Sequence, residues 1–372
     1  MNDRIDNYTS ESVDKIVKQM LPLASTMEGY FNKGVGIYGA GFVGTWACTY
    51  LKSIGAKVSI FIDNDANKTG KSIQNVPIVL PSDSIVNSLS SIFIAARHDV
   101  KNVELLMQNK CSNLLSFDGY YVIRNYQRLC SIRDDFLSDN KSIETFNAIL
   151  IAMLTSSLKS CRAVMEKDMY FHLPEFSGTF DDIFVDAGAF VGDTVERFIW
   201  ENLGTFKHIY AFEPGVKQFT ALQKRMDRLA EEWAFELSNV SLEQAGLASE
   251  SGEMNCMYVN DHPLRHALGS DEQVKNQENK QSCSVYSLDS YLKGKPVTFI
   301  KVDIEGMEMD FLYGAKNTIC KFKPKMALCA YHYPSDLYEI AEYVHSLVPE
   351  YKFSLRQHAP IFGDFVLYCY ID

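Results

Sequence analysis

The chain has 372 residues, more than one hydrophobic core usually organises, so we expect two domains. Hydrophobic residues make up 47% and charged residues 22%, as in ordinary globular enzymes. The formal net charge is −11 and the basic residues are scattered, which argues against a nucleic-acid partner.

The sequence also argues against a secreted or membrane-bound chain. No apolar run is long enough to span a bilayer, and the first fifteen residues are polar and acidic without a signal-peptide core. Nine cysteines are spread singly, without a C-x-x-C pair, which is typical of reduced thiols. We therefore expect a cytoplasmic protein without a membrane partner, and a homodimer stays open.

Residues 1–125 alternate between strand-like and helical segments after a leading helix within residues 10–31. Such alternation predicts a parallel, Rossmann-like sheet. The expected strands are Gly34–Tyr38, Val58–Ile62, Val76–Leu80, Ser91–Ala95 and Leu114–Phe117.

Residues 126–178 show only helical patterns and are predicted to connect this domain to a second one at 179–372. There the alternation resumes and ends in two neighbouring strands, which predicts a parallel sheet closed by an antiparallel pair. The expected strands are Ile183–Val185, His208–Phe212, Val240–Leu242, Phe299–Val302, Met326–Ala330, Lys352–Leu355 and Phe365–Tyr370.

A glycine loop, G-A-G-F-V-G, follows the first expected strand and opens a helix. Gly39 suits the tight turn, Gly41 a close approach of the backbone to a pyrophosphate, and Gly44 close packing of helix on strand. Asp63 ends the next strand, where its carboxylate could accept ribose hydroxyls. The alternative is a Rossmann-like domain that has lost its ligand and serves for docking.

The stretch from Val58 to Asp83, with F-I-D-N and a P-I-V turn, resembles the N-terminal domain of PglD-like sugar acetyltransferases. The resemblance covers roughly the first hundred residues. It implies a nucleotide-sugar ligand at least as readily as NAD.

A second loop, D-A-G-A-F-V-G-D-T, follows the strand that begins at Ile183. Two glycines, Gly188 and Gly192, in a D-x-G-x-x-x-G spacing suit a ligand without pyrophosphate. Glu213, at the end of the next strand, could bind both ribose hydroxyls, and Asp186 could hold the loop or meet the ligand's amino group.

The strand F-I-K-V-D-I-E-G-M-E places Lys301, Asp303 and Glu305 at alternate positions, so we expect them on one face. In open α/β sheets the carboxyl edge is where ligands bind.

With these motifs the chain resembles the FkbM family of methyltransferases, on V-D-A-G-A-F-V-G-D-T, Y-A-F-E-P, S-V-Y-S-L-D-S-Y, F-I-K-V-D-I-E-G-M-E and A-Y-H-Y-P-S-D-L-Y-E-I. The resemblance covers about Asp135 to the C-terminus and also includes D-M-Y-F. It implies a class I fold, S-adenosylmethionine as methyl donor and an O-methylated sugar or small metabolite. It implies active-site roles for Asp303 and Glu305.

The residues expected to bind the cofactor are Asp186, Gly188, Phe190, Gly192, Asp193, Thr194, Glu213 and Pro214. Phe190 departs from the family, in which Asn or Tyr is common at this position.

An alcohol must lose a proton as it attacks the methyl group, which calls for a general base. His332, in Y-H-Y-P at the end of an expected strand, has a suitable ordinary pKa. Asp303, with Lys301 lowering its pKa, is the competing base. His332 and Asp303 could each instead have only a structural role.

The polar stretch from Tyr258 to Cys283 is long for a turn and could cover the active site. Its histidines fit no strong metal pattern, so no metal is predicted. Two other functions stay open: an NAD- or nucleotide-sugar-dependent oxidoreductase or epimerase using the first glycine loop, and a non-catalytic nucleotide-sugar-binding protein.

Overall fold

The computed structural model describes residues 8–258, 266–269 and 280–371. The chain divides into two compact units. Unit 1 consists of Met1–Arg133, Asn140–Met165 and Ala359–Phe362. Unit 2 consists of Asp134–Asp139, Glu166–His358 and Gly363–Asp372.

Unit 1 contains a six-stranded sheet in the order β3-β4-β2-β1-β5-β6. All neighbouring strands are parallel except β3 and β4. The strands are Val35–Tyr38 (β1), Val58–Ile62 (β2), Ser72–Ile73 (β3), Val76–Val79 (β4), Ser91–Ile94 (β5) and Asn113–Ser116 (β6). The short strand β3 was not expected from the sequence.

The first helix of unit 1, α1 (Ser10–Glu28), shows how the sequence specifies a helix. The side chain of Thr9 accepts a hydrogen bond from the backbone N–H of Ser12 and so caps α1. Val13, Ile16 and Val17 recur at helical spacing and are buried. The helices of this unit's sequence region are Ser10–Glu28 (α1), Phe42–Ser53 (α2), Val100–Met107 (α3), Phe117–Arg124 (α4), Tyr126–Ser131 (α5), Asn140–Thr155 (α6) and Lys159–Ala163 (α7).

The segment predicted as a connector, 126–178, contains α5 to α7, a π-helical turn at Ile132–Phe136 and a 3₁₀ turn at Pro174–Phe176. Most of α6 is buried, and residues 140–165 group with unit 1, whereas residues 166–178 group with unit 2. The predicted domain boundaries stay a prediction.

Unit 2 contains a seven-stranded sheet in the order β16-β17-β15-β14-β7-β8-β9. Strand β17 runs antiparallel to both of its neighbours, and the pairs from β15 to β9 are parallel. The strands are Ile183–Ala187 (β7), His208–Phe212 (β8), Val240–Glu243 (β9), Phe299–Val302 (β14), Lys325–Cys329 (β15), Lys352–Gln357 (β16) and Phe365–Tyr370 (β17). The predicted α/β class, with its antiparallel C-terminal pair, is confirmed.

The helices of unit 2 connect these strands, and an aromatic core lies between sheet and helices. Phe184 stacks on Phe198 with ring centroids 4.4 Å apart, and Phe299 packs beside both. The helices are Asp193–Glu201 (α8), Val216–Trp233 (α9), Leu288–Leu292 (α10), Glu308–Gly314 (α11), Lys316–Phe322 (α12) and Asp336–Leu347 (α13).

A small third sheet was not expected from the sequence. Its strands are Gly246–Leu247 (β10), Gly252–Tyr258 (β11), His266–Gly269 (β12) and Lys280–Tyr286 (β13), in the order β10-β13-β11-β12. The stretch expected to cover the active site therefore includes strand residues. Residues 259–265 and 270–279 of it lie outside the described part of the chain.

Across the described ranges, we find no helix that combines the length and the apolar character of a membrane span.

Candidate functional site

The second glycine loop joins β7 to α8 in unit 2 and depends on left-handed backbone. Gly188, Phe190 and Gly192 have φ of 80°, 48° and 82°. A β-carbon on Gly188 would meet the backbone carbonyl oxygen of Asp303, so the loop lies directly against the end of β14. The N–H groups of Gly188 and Ala189 donate to the carbonyl of the last residue of β8, at 3.1 and 2.9 Å. The loop is thus fixed to the carboxyl ends of two strands.

Glu213 stands at the carboxyl end of β8 and is 5% exposed. Its Oε2 accepts from the N–H of Phe190 at 2.9 Å, and its Oε1 accepts from the N–H of Gly215 at 2.7 Å. Burial raises the pKa of Glu213, and the two backbone donors oppose that rise. Each oxygen keeps a lone pair for a further donor. Glu213 therefore ties down the loop and could still accept ribose hydroxyls.

Lys301 and Asp186 form an ion pair inside the sheet. They lie opposite each other on β14 and β7, with Lys301 Nζ 3.0 Å from Asp186 Oδ1. Lys301 also donates to the carbonyl oxygens of Gly188 at 2.6 Å and of Ala187 at 3.3 Å. Burial alone would lower the pKa of Lys301, but the carboxylates of Asp186 and Asp303 raise it, so the ammonium stays charged. Asp186 therefore stabilises the loop indirectly, by pairing with the Lys301 ammonium that donates to the loop's carbonyl oxygens.

Asp303 follows β14 directly and is held by two phenols. Tyr170 donates to Oδ2 at 2.9 Å and Tyr331 donates to Oδ1 at 3.1 Å. Burial would raise the pKa of Asp303, but Lys301 and the imidazole of His332 lower it. Asp303 is thus a fixed, ionised carboxylate whose side chain is 26% exposed.

His332 lies among three carboxylates and its side chain is 6% exposed. Its Nε2 is 3.7 Å from Asp303 Oδ1 and 3.6 Å from Glu305 Oε2, and its Nδ1 is 3.0 Å from Glu308 Oε1. Burial would lower the pKa of His332, but Glu308, Glu305 and Asp303 raise it well above its ordinary value. This raised pKa differs from the ordinary pKa expected from the sequence.

A strained turn positions the acids of this cluster. Glu305 has φ of 57°, a left-handed conformation that non-glycine residues seldom adopt, and Gly306 follows with φ of 96°. The N–H of Ile304 donates to Glu308 Oε1 at 3.0 Å across the turn. Lys301 points to Asp186, whereas Asp303 and Glu305 face His332. Of the three charged side chains of this motif, one therefore holds the glycine loop and two belong to the cluster around His332.

Sequence reasoning missed Glu308, Tyr170 and Tyr331 as site residues. All three lie inside family motifs quoted above, so the signal was present but no chemistry singled them out. Of the other expected cofactor residues, Asp193 is exposed and Thr194 buried in the first turn of α8, and Pro214 is half-buried next to Glu213.

A chain of hydrogen bonds through Tyr368 and His358 holds the backbone of Tyr170 in place. Its backbone N–H donates to the hydroxyl of Tyr368 at 3.0 Å, and that hydroxyl lies 2.8 Å from Nε2 of His358. Nδ1 of His358 lies 3.2 Å from the carbonyl oxygen of Glu166. Since a carbonyl only accepts, Nδ1 carries the proton and Nε2 accepts from Tyr368. His358 is therefore neutral in this arrangement.

The first glycine loop lies in unit 1. Gly39 has φ of 106°, and a β-carbon on Gly44 would meet the carbonyl oxygen of Gly39, so both glycines are required by the backbone. Nothing lies within 4 Å of the place where a β-carbon of Gly41 would be. Asp63 accepts from the N–H of Ala40 at 2.8 Å and pairs with Lys68 at 3.0 Å. Its carboxylate is thus already engaged by the loop.

The strand order of unit 2 and its single antiparallel strand define a class I methyltransferase-like fold. The crystal structure of the methyltransferase FkbM from Methylobacillus flagellatus KT is similar over 97% of this chain and 98% of that chain. The TM-score is 0.59 and the sequence identity 21%. A family model described as the Methyltransferase FkbM domain matches residues 186–355. Residues 186–355 are thus similar to the FkbM methyltransferase domain, whose family implies S-adenosylmethionine as methyl donor.

Two other solved structures match parts of the chain. An rRNA methylase from Streptococcus thermophilus matches 53% of this chain and 92% of that one, with 17% identity and a TM-score of 0.33. A UDP-D-quinovosamine 4-dehydrogenase from Vibrio fischeri matches 21% of this chain and 72% of that one, with 24% identity and a TM-score of 0.18. Both TM-scores are too low to support an argument. No curated protein matches the chain.

The neutral His358 predicts a pH-dependent stability. Burial lowers its pKa from the ordinary 6.5 to about 4. Because the folded-state pKa lies below the unfolded one, this contribution to stability is present above pH 6.5 and is lost as the pH falls towards 4. Between pH 7 and pH 5 the loss is about 2 kcal/mol. The free energy of unfolding in urea should therefore fall between pH 7 and pH 5 in both proteins, but by about 2 kcal/mol less in His358→Gln than in the original chain. An identical loss in both proteins would show that His358 titrates normally.

Proposed function

We propose that this chain transfers the methyl group of S-adenosylmethionine to a hydroxyl group of a small molecule, with a sugar or nucleotide-sugar as the acceptor class. The observation that carries the proposal is the Asp303–His332 cluster at the carboxyl edge of the sheet, in backbone contact with the glycine loop. The closeness of this cluster to the loop expected to bind the donor supports a role of its side chains in activating a hydroxyl.

The donor side of the reaction rests on the loop and Glu213. We expect the ribose hydroxyls to donate to the remaining lone pairs of Glu213 and the methionine part to lie along Gly188–Gly192. Methyl transfer from a sulfonium is an in-line displacement, so holding donor and acceptor in line supplies much of the rate.

The acceptor side needs a route for a proton. A neutral hydroxyl is a weak nucleophile at neutral pH, and its O–H bond must break as the new O–CH₃ bond forms. Asp303 and His332 are the two groups proposed for this step. Asp303 is ionised and its side chain is partly exposed, whereas His332 is buried behind it. The sulfur keeps the electron pair of the broken S–CH₃ bond, which leaves a neutral thioether.

The acidic surroundings support a small, hydroxyl-bearing acceptor. Three carboxylates surround His332, and the chain has a net charge of −11, so the many phosphates of a nucleic-acid backbone would be repelled more strongly than a small acceptor. The proposed acceptor is therefore a small molecule and not a nucleic acid.

The test combines cofactor binding with turnover. Asp303→Asn and His332→Ala should bind S-adenosylmethionine like the original chain in isothermal titration. Both should form S-adenosylhomocysteine about a hundredfold to ten-thousandfold more slowly over a panel of sugars and nucleotide-sugars. Asp310→Asn, on α11 but in contact with Ser249 instead of the cluster, is the matched control. A chain that does not bind S-adenosylmethionine, or full turnover in both variants, would contradict the proposal.

For unit 1 we propose a nucleotide or nucleotide-sugar ligand on the first glycine loop, supported by the open space at Gly41 and by the nearby ammonium of Lys68. A ligand-free docking role is the alternative.

Gly41→Val tests this proposal without disturbing the fold. The backbone of Gly41 has φ of −111° and its β-carbon would meet nothing, so the unliganded variant should melt at the same temperature as the original chain. Thermal shift with UDP-sugars, GDP-sugars and NAD should show stabilisation of the original chain and none of the variant. If none of these ligands raises the melting temperature of the original chain, the ligand proposal is contradicted and the docking role is favoured.

A further inference from the structure

The cluster around His332 contains more negative charge than its own cations balance. Asp303, Glu305 and Glu308 approach one imidazole, while the nearest ammonium, Lys301, is paired with Asp186. The carboxylate of Glu308 is buried and that of Asp303 only 26% exposed, and such carboxylates are costly unless a cation or hydrogen-bond donors compensate them. The cluster is therefore electrostatically suited to a further positive charge.

Two side chains of the cluster are more than nine-tenths buried and have unused polar atoms. The exposed fractions are 6% for the side chain of His332 and 2% for that of Glu308. Within the described ranges, neither ring nitrogen of His332 meets hydrogen-bond geometry, although Glu308 Oε1 lies 3.0 Å from Nδ1. Oε2 of Glu308 is also without a hydrogen-bond partner there. Buried polar atoms of this kind usually bind water or an ion.

The spacing of the donor atoms fits a metal ion. One atom each from Asp303, Glu308 and His332 lie within 4.8 Å of one another. Ligand bonds of about 2.0 to 2.2 Å place two ligands of one ion roughly 2.8 to 4.4 Å apart, depending on the coordination geometry. Small side-chain adjustments therefore close the set, and the carboxylate of Glu305 lies beside it, 3.6 Å from Nε2.

We propose that Asp303, Glu308 and His332 bind one divalent cation. Two hard carboxylate oxygens and one imidazole form a mixed donor set that suits Mn²⁺ or Zn²⁺ better than Ca²⁺. The sequence alone predicted no metal, because its motifs do not show that Glu308 and His332 meet.

The cation deepens the function proposed above and rests on it for its role. A hydroxyl bound to the ion has a lowered pKa, so its O–H bond breaks more readily and the proton passes to the carboxylate of Glu305 and on to solvent. The oxygen lone pair then forms the O–CH₃ bond, and sulfur keeps the pair of the S–CH₃ bond. His332 acts in this scheme as a ligand and not as the proton acceptor.

The test titrates Mn²⁺ into the chelator-treated full chain and follows free Mn²⁺ by electron paramagnetic resonance. We expect saturable binding of one ion per chain. Asp303→Asn, Glu308→Gln and His332→Gln should each weaken it about tenfold or more. Asp310→Asn removes a carboxylate from the same helix as Glu308 without touching the cluster and should bind like the original chain. Melting without metal checks that each variant folds. Mn²⁺ should raise the melting temperature of the original chain and of Asp310→Asn more than that of the three cluster variants.

The proposal is overturned if the original chain binds no Mn²⁺ saturably, if folded cluster variants bind it unchanged, or if Asp310→Asn weakens binding as much as they do. Titration with S-adenosylmethionine in the presence of chelator separates this result from the proposed function. Cluster-dependent Mn²⁺ binding without cofactor binding would keep the metal site and remove the methyltransferase role. Cofactor binding without Mn²⁺ binding would keep the methyltransferase role and remove the metal site.

Discussion

The buried pair of Lys301 and Asp186 is the constraint on which the candidate site depends. It joins two central strands, β14 and β7, and the same ammonium donates to the carbonyl of Gly188 at 2.6 Å. Removing one partner of such a pair typically costs about 3 to 5 kcal/mol, because a buried charge is left uncompensated. One side chain thus sets the path of the glycine loop and the position of the strand end that precedes Asp303.

From this pair the site extends in two directions. Towards β8, the loop's backbone donates to the end of that strand and to Glu213, which prepares the donor side. Towards β15, Asp303 is fixed by Tyr170, whose backbone is itself held through Tyr368 and His358. Donor loop and acid cluster are therefore parts of one polar network and not two neighbouring features.

Much of this could be predicted from the sequence. Except for the short strand β3, the strands of both large sheets follow from apolar runs, and the segments Val58–Ile62, His208–Phe212 and Phe365–Tyr370 have the expected bounds. The two glycine loops follow from the glycine spacing after a strand, since left-handed turns and close backbone contacts favour glycine.

The rest depends on contacts between distant segments. Tyr170 and Asp303 are 133 positions apart in the chain, and only the folded sheet brings them together. The raised pKa of His332 needs Glu308 on its other side, which no local pattern shows. The small third sheet falls in a polar stretch without the alternation that marks a strand.

The most direct measurement of the central claim is the affinity of Lys301→Met for S-adenosylmethionine by isothermal titration, compared with Lys325→Met. Lys325 is also largely buried and pairs with Asp182 at 3.4 Å, but at the amino-terminal end of β15. Both substitutions should lower stability, since each leaves a buried carboxylate without its cation. Only Lys301→Met should lose cofactor affinity, by about tenfold or more, through the released loop. Equal affinity in the two folded variants would contradict the claim that this ion pair organises the site.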